Sequence, residues 1–262
     1  MTLTGNLSEL VKFRELLLAF TDKEIKIRYK QTLLGFLWAI LQPAALTLIF
    51  SIVFGVFLKV SFSTIPYPVF AYSALLPWSF LSSALSFGSL SVVNNSSLVT
   101  KVYFPREIMP LSSIAAAFFD FIVAGLIFIL MFFIFKVPIG ANIAYLLIII
   151  PSLLALTIGI SLILAAINVL YRDVRFVLPI FLQVFMYLTP IIYSVEQIPQ
   201  KYRVYVLLNP AAGLVESFRD VTVLNRSPQM VPLAYSIAMS FVILILGYAY
   251  FKKKEKVFAD VI

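Results

Sequence analysis

The stretch Asn95-Ser-Ser-Leu-Val-Thr-Lys-Val-Tyr-Phe-Pro-Arg-Glu-Ile-Met-Pro110 separates two apolar runs, and its reading decides the fold. Before it, Tyr67 to Val93 holds no charged residue; after it, Ile108 to Phe135 holds only Asp120. Each run exceeds the roughly 20 residues that an α-helix needs to cross a hydrocarbon core about 30 Å thick. A short polar turn between two such runs makes a helical hairpin in a membrane, with the turn at one surface. Lys101, Pro105, Arg106 and Glu107 crowd into that turn, which is more chemistry than a tether requires.

Four more runs extend the pattern outward: Leu33 to Leu58, Ile143 to Leu170, Phe176 to Tyr193 and Val231 to Phe251. The chain is 62% hydrophobic and 12% charged, against about 25% charged in soluble domains. Its mean hydropathy is +1.03. Continuous apolar runs argue against a barrel, whose strands alternate apolar and polar residues. The expected fold is an all-α membrane protein of six transmembrane helices, forming one domain over residues 1–262. Within it, residues 1–32 form an interface helix, 33–251 the bundle and 252–262 a tail.

Before the first span, Leu10, Phe13, Leu17 and Phe20 recur at helical spacing within Leu7 to Phe20. Thr21-Asp-Lys-Glu24 has the form of a capping box that starts a second, basic helix bearing Lys23, Lys26, Arg28 and Lys30. Such an element suits the headgroup layer of an anionic membrane, with a solvated charged linker as the alternative. No cleavable signal peptide is expected, since the first 32 residues are charged and interrupted. Of the 20 basic residues, 14 precede the first span, sit in the second or fourth connection, or follow the last span. Positive charge marks the cytoplasmic side, so both termini are expected there.

Between the fifth and sixth spans, Ser194 to Met230 is more than linker. An apolar patch, Val204 to Leu208, meets a stop at Asn209-Pro210, and Ala212 to Leu224 follows as an amphipathic helix bearing Leu214, Val215, Phe218 and Val221. A pair of short re-entrant helices fits this pattern, as does a helical cap outside the membrane.

Much chemistry is excluded. Without Cys or His, the chain has no thiolate nucleophile and no imidazole for proton transfer or metal binding. No Gly-x-x-x-x-Gly-Lys phosphate loop occurs, and no carboxylates pair within the membrane. No catalytic or metal-binding residue is assigned. Asp120 is costly inside a span and reads either as an interhelical contact or as a substrate or proton contact. Aromatics near span ends, including Trp78, Tyr72, Tyr187 and Tyr193, read as interface belt, or as rings along a passage. Pro43, Pro77, Pro179 and Pro190 permit kinks.

From Arg28-Tyr-Lys-Gln-Thr-Leu-Leu-Gly-Phe-Leu-Trp-Ala-Ile-Leu-Gln-Pro43 onward the chain resembles the permease subunits of bacterial ABC type 2 polysaccharide exporters. The resemblance continues through Leu76-Pro-Trp78, Asn94, Lys101-Val-Tyr-Phe-Pro-Arg-Glu107, Tyr171-Arg-Asp-Val-Arg175, Leu188-Thr-Pro-Ile-Ile-Tyr193 and Leu208-Asn-Pro210, in order along nearly the whole chain. O-antigen exporters are the nearest members, and teichoic-acid and capsule permeases share much of the pattern. The resemblance implies a homodimer in the bacterial inner membrane with two copies of a separate ATPase, which would hold the ATP and Mg; this chain itself would carry no cofactor. The substrate implied is an undecaprenyl-pyrophosphate-linked polysaccharide, with membrane lipids around it and no nucleic acid. Export of teichoic acid, capsule, or a drug or free lipid is the alternative.

By the same resemblance, Asn94, Lys101, Val102, Tyr103, Phe104, Pro105 and Arg106 match a cytoplasmic coupling segment facing the ATPase. Arg172, Asp173 and Arg175 lie in a second, smaller connection. The first and fifth spans would line the passage, making Trp38, Tyr187 and Tyr193 lining candidates, and the loop after the fifth would supply periplasmic gate helices. Arg28 and Lys30 would meet the lipid pyrophosphate, or anionic lipid generally.

Overall fold

Lipid offers no partner to a bare backbone, so apolar runs close their own hydrogen bonds as helices. In the computed structural model, which describes residues 11–30, 32–57 and 65–261, the regular elements are helical and no strand forms among those residues. In chain order they are α1 (Arg14–Tyr29), α2 (Trp38–Phe50), α3 (Tyr67–Asn94), α4 (Ser96–Lys101), α5 (Ile108–Phe135) and α6 (Leu146–Leu170). Then come α7 (Val174–Leu188), α8 (Gln200–Leu207), α9 (Pro210–Thr222), α10 (Met230–Lys254) and α11 (Phe258–Val261). Residues 1–10, Gln31, Leu58 and Ile262, which entered the expectations above, lie outside the described residues.

Among the described residues, five helical stretches are long and apolar enough to cross a membrane: Gly35–Phe57, Tyr67–Asn94, Ile108–Phe135, Ala141–Leu170 and Met230–Val257. The first combines a 3-10 turn, α2 and a π-helical end, Ser51–Phe57. The remaining expected span, Phe176–Tyr193, is shorter as a helix. Pro190 disfavours helical backbone at the residue before it, and Thr189 is extended at φ −91° and ψ 135°. Helix α7 therefore stops at Leu188 after 15 residues, a rise of about 22 Å. The break expected at Thr21 is absent. Its hydroxyl donates to the Leu17 carbonyl, 2.8 Å away, and α1 runs straight through, because nothing there interrupts its backbone ladder.

Helix α3 is the buried axis of the bundle, covered along most of its length by α5, α6 and α9. Its small residues, among them Ala71, Ala74, Ala84 and Gly88, let neighbouring backbones approach, as small residues do between membrane helices. A second apolar cluster closes the end where the basic residues gather. There Val92, Val99, Phe104, Ile108, Leu162, Val169, Phe251 and Phe258 draw together the ends of α3, α6 and α10, the start of α5, and α4 and α11.

At the opposite end the connection between α7 and α10 folds inward. Asn209 caps α9 by accepting from the Ala211 N–H at 3.0 Å, with Pro210 as the first helical residue. Helix α9 is buried from Ala211 to Thr222, on its charged face as well as its apolar one. Arg219 is wholly buried. It pairs with Glu216 at 2.7 Å, donates to the carbonyls of Pro190, Ile191 and Tyr193, and lies 3.9 Å from the centre of the Phe70 ring. These carbonyls belong to the non-helical chain beyond α7, so Arg219 replaces the hydrogen bonds that the broken helix gives up. Burial pushes the Glu216 carboxyl above its ordinary range, with Arg219 pulling against it. Burial, then the charge of Glu216, pushes Asp220 up to about 6.

Helices α6 and α10 cross at two glycines. A Cβ on Gly247 would lie 2.3 Å from the Gly159 carbonyl oxygen, and one on Gly159 would meet the Ile243 backbone at 2.6 Å. Backbone cannot swing aside as a side chain can, so Gly247→Ala is expected to cost about 1–3 kcal/mol. Thermal unfolding of the purified variant in detergent measures this; an unchanged midpoint would refute so close a crossing.

Candidate functional sites

The segment linking α3 to α5 sorts its residues into two sets. Lys101, Val102 and Tyr103 project outward, Tyr103 with 83% of its surface exposed, and Asn94 is exposed at the end of α3. Phe104 and Pro105 turn inward, and the Phe104 ring stacks on Phe20 of α1 at 6.1 Å between centroids. Next to Asn94, Asn95 is buried. Its Oδ1 accepts from Lys23 Nζ of α1 and its Nδ2 donates to the Ser91 carbonyl, both at 2.8 Å.

Arg106 is held by the far end of the chain. Its guanidinium donates to the Glu255 carbonyl oxygen and its backbone N–H to Glu255 Oε1. Beside it the buried Glu107 pairs with Lys252 at 2.7 Å and accepts from the Tyr248 hydroxyl, while Lys252 also reaches Glu255 at 3.0 Å. Of the residues expected to face a partner, Arg106 is thus an internal tie, while Lys101, Val102 and Tyr103 remain open. Arg172, Asp173 and Arg175, after α6, are exposed at the same end of the bundle; Arg175 lies over its neighbour's ring, Phe176, at 4.6 Å.

The second arrangement is a groove of about 560 Å³ between the end of α1, the start of α2, and α3 and α5. Asp120 is among its lining residues and has two partners from α1. Arg28 Nη1 donates to Asp120 Oδ2 at 2.6 Å, and the Tyr29 hydroxyl donates to Oδ1. The Arg28 side chain is 8% exposed, donates also to the Ser113 carbonyl and packs on the Phe87 ring at 4.0 Å. Burial, then the bond to Asp120, raises the Tyr29 phenol above its ordinary value, so Tyr29 stays a proton donor.

The lining candidates separate. Trp38, 51% exposed, stands on the groove wall, and Lys30 is exposed nearby in the chain. Tyr187 is exposed on α7; Tyr193 is half-buried, its hydroxyl donating to the Tyr187 carbonyl at 2.8 Å. Sequence reasoning saw Asp120 alone in its span and missed Arg28, which comes from outside it. It also missed the ties made by Glu107, Lys252 and Glu255. An acid and a base at corresponding depth in adjoining segments was the available signal, and only tertiary packing makes it readable.

Removing one member of a buried ion pair strands the other, at about 3–5 kcal/mol. Arg28→Leu is expected to destabilise by that amount, and Arg28→Leu with Asp120→Leu by clearly less than the sum of the single changes. Thermal unfolding of the three variants measures the coupling. Strict additivity would mean that the pair contributes none.

The chain was compared with known proteins. A family model described as ABC-2 type transporter matches residues 15–223, which include both arrangements apart from the α10 ties. The chain is 28% identical over 254 residues to an O-antigen export system permease protein, RfbA, of Klebsiella pneumoniae, covering 95% of each chain. It is 28% identical over 255 residues to the RfbA of Myxococcus xanthus, covering 96% of this chain and 97% of the relative. It is also 28% identical over 243 residues to a polysialic acid transport protein, KpsM, of Escherichia coli, covering 89% and 91%. With α2 to α9 inside the matched region and relatives aligned almost end to end, the chain belongs to the ABC-2 type transporter family of membrane proteins.

Proposed function

We propose that this chain is the membrane subunit of an ATP-driven exporter of a lipid-linked, O-antigen-like polysaccharide, working as a homodimer in the bacterial inner membrane. Two copies of a separate ATPase supply ATP and Mg; the chain itself holds no phosphate loop and catalyses nothing. The substrate is read as an undecaprenyl-pyrophosphate-linked glycan. Relatives named for O-antigen export and polysialic acid transport weigh toward a glycan and away from a drug or free lipid.

The observation that carries this reading is the division within the segment after α3. Lys101, Val102 and Tyr103 face outward without support from the bundle, while Phe104, Arg106 and Glu107 tie the same segment to α1 and α10. A rigidly mounted surface with an exposed aromatic and a base is what a partner can push against. Arg172, Asp173 and Arg175 form the smaller contact beside it. Positive charge at this end supports a cytoplasmic position for it and for both termini.

In this reading α7 and the non-helical residues after it make a sixth crossing, and α8 and α9 are the re-entrant gate at the periplasmic end. The exposed apolar faces of α2 and α7, including Leu41, Ile49, Phe181 and Val184, meet the second copy around the passage, with Tyr187 toward its outer end. Lys30 is left to attract anionic headgroups, at about 1 kcal/mol. Arg28 is committed to Asp120 and serves the groove instead.

Lys101→Glu with Tyr103→Ala is expected to leave thermal stability within about 0.5 kcal/mol, as exposed substitutions do. Co-purification with the ATPase and glycan export in cells should both fall severalfold. Arg106→Glu should lower stability as well, because it sets a carboxylate against Glu255. Normal export and normal ATPase recovery in the double variant would sink the coupling assignment.

A further inference from the structure

The groove between α1, α2, α3 and α5 has a lining that neither packing nor lipid explains. Ser79, Ser82, Ser83 and Ser86 follow one another at i, i+3, i+4 and i+7 on α3, so their hydroxyls share one face, and all four line it. Ser82 and Ser86 donate to carbonyls one turn back, those of Ser79 and Ser82. Among the described residues the Ser79 and Ser83 hydroxyls and the Gln42 amide meet no hydrogen-bond partner, and Arg28 Nε is buried there without one. Arg28 Nε alone of these is held away from water, where an unpartnered donor costs about 1–3 kcal/mol; the two serines are half-buried and Gln42 is exposed, so their polar atoms are open to a ligand that enters the groove.

Charge decides what that is. Arg28 and Asp120 are the charged residues of the lining, and they neutralise each other at 2.6 Å. An anionic phosphate would find no net positive charge in this lining and would face the Asp120 carboxylate. A neutral group bearing several hydroxyls would leave the pair intact. It would accept from the serines and Gln42 and donate to the free lone pairs of the Asp120 carboxylate. Trp38 adds a half-exposed indole, an apolar plane suited to the C–H face of a sugar ring. The volume falls within the roughly 300–1,000 Å³ of small-molecule sites.

We propose that this groove is a sugar-binding site at membrane depth, stacking a neutral pyranose on Trp38 and hydrogen bonding its hydroxyls through Ser79, Ser83, Gln42 and Asp120. The proposal rests on the exporter reading, which brings glycan to the membrane, and names a place within each protomer where that glycan is held. The wall formed by Ile27, Arg28 and Tyr29 belongs to α1, the helix that also carries Phe20 and Lys23 against the exposed segment.

The chain has two tryptophans, and Trp78 is buried, so Trp78→Phe leaves Trp38 as a reporter inside the groove. The full chain with its ATPase, in lipid nanodiscs, is titrated with hexyl β-D-glucoside and, separately, with hexyl phosphate while Trp38 emission is followed. The glucoside is expected to shift emission saturably and the phosphate to leave it unchanged. Ser79→Ala with Ser83→Ala should raise the half-saturating concentration about tenfold or more. Gln42→Ala, at an exposed position, should weaken binding too and serves if the serine variant misfolds. A saturable response to the phosphate alone would make the groove an anion site and overturn the proposal. So would no saturable response to either probe, or a serine variant that folds and binds as its parent does. Export is assayed separately in cells: loss of glycan transport as the chain's function would fell the exporter reading without altering the glucoside titration.

Discussion

The ion pair between Arg28 and Asp120 organises one whole side of this protein. A carboxylate within an apolar helix must find a partner inside the protein, because the surrounding lipid supplies none. Asp120 finds it in α1, a helix whose own charges would otherwise keep it at the surface. Once Arg28 and Tyr29 are drawn to Asp120, the rest of α1 has little freedom. Five residues before Arg28, a rise of about 7–8 Å, Lys23 reaches Asn95, and eight residues before it, about 12 Å, Phe20 stacks on Phe104. The same short helix therefore forms a wall of the groove and a support of the exposed segment.

Much of this architecture was legible in the sequence. Length and apolarity located the crossings, with α3, α5, α6 and α10 ending within a few residues of expectation, because a helix in lipid is specified almost wholly by its own composition. The Asn209-Pro210 stop was legible too, since capping is local chemistry. Long-range pairing was not. Arg28 and Asp120 are separated by 92 positions, and Arg106 and Glu255 by 149. Arg106 thus had the same signature as its exposed neighbours Lys101 and Tyr103. Thr21 misled for a different reason: the residues of a capping box also continue a helix when the hydroxyl turns back to the preceding carbonyl.

The loop after α7 shows how far a polar group can invert its expected role. Arg219 and Glu216 have the spacing of a solvated helix face, yet both are buried. The inversion follows from Pro190. By ending α7 early it leaves carbonyls without intrahelical donors, and a guanidinium, with five N–H groups and no acceptor, can serve several of them together. Glu216 then balances the charge. The broken helix and the buried arginine are one feature, and α9 is drawn into the protein because it carries that arginine.

These ties leave little slack between the two ends of the molecule. The segment holding Tyr103 is fastened to α10 through Glu107, Lys252, Glu255 and Arg106. Helix α10 is pressed to α6 at Gly159 and Gly247, where backbone meets backbone with no side chain between them to adjust. Farther along, α10 also meets α9, where Gly213 approaches Ser236 closely. Contacts of this kind resist sliding, because a small displacement brings backbone atoms into overlap, whereas a layer of flexible side chains would absorb it. Helix α10 is thereby fitted to move with its neighbours as a unit, joined at one end to the exposed segment and at the other to α9.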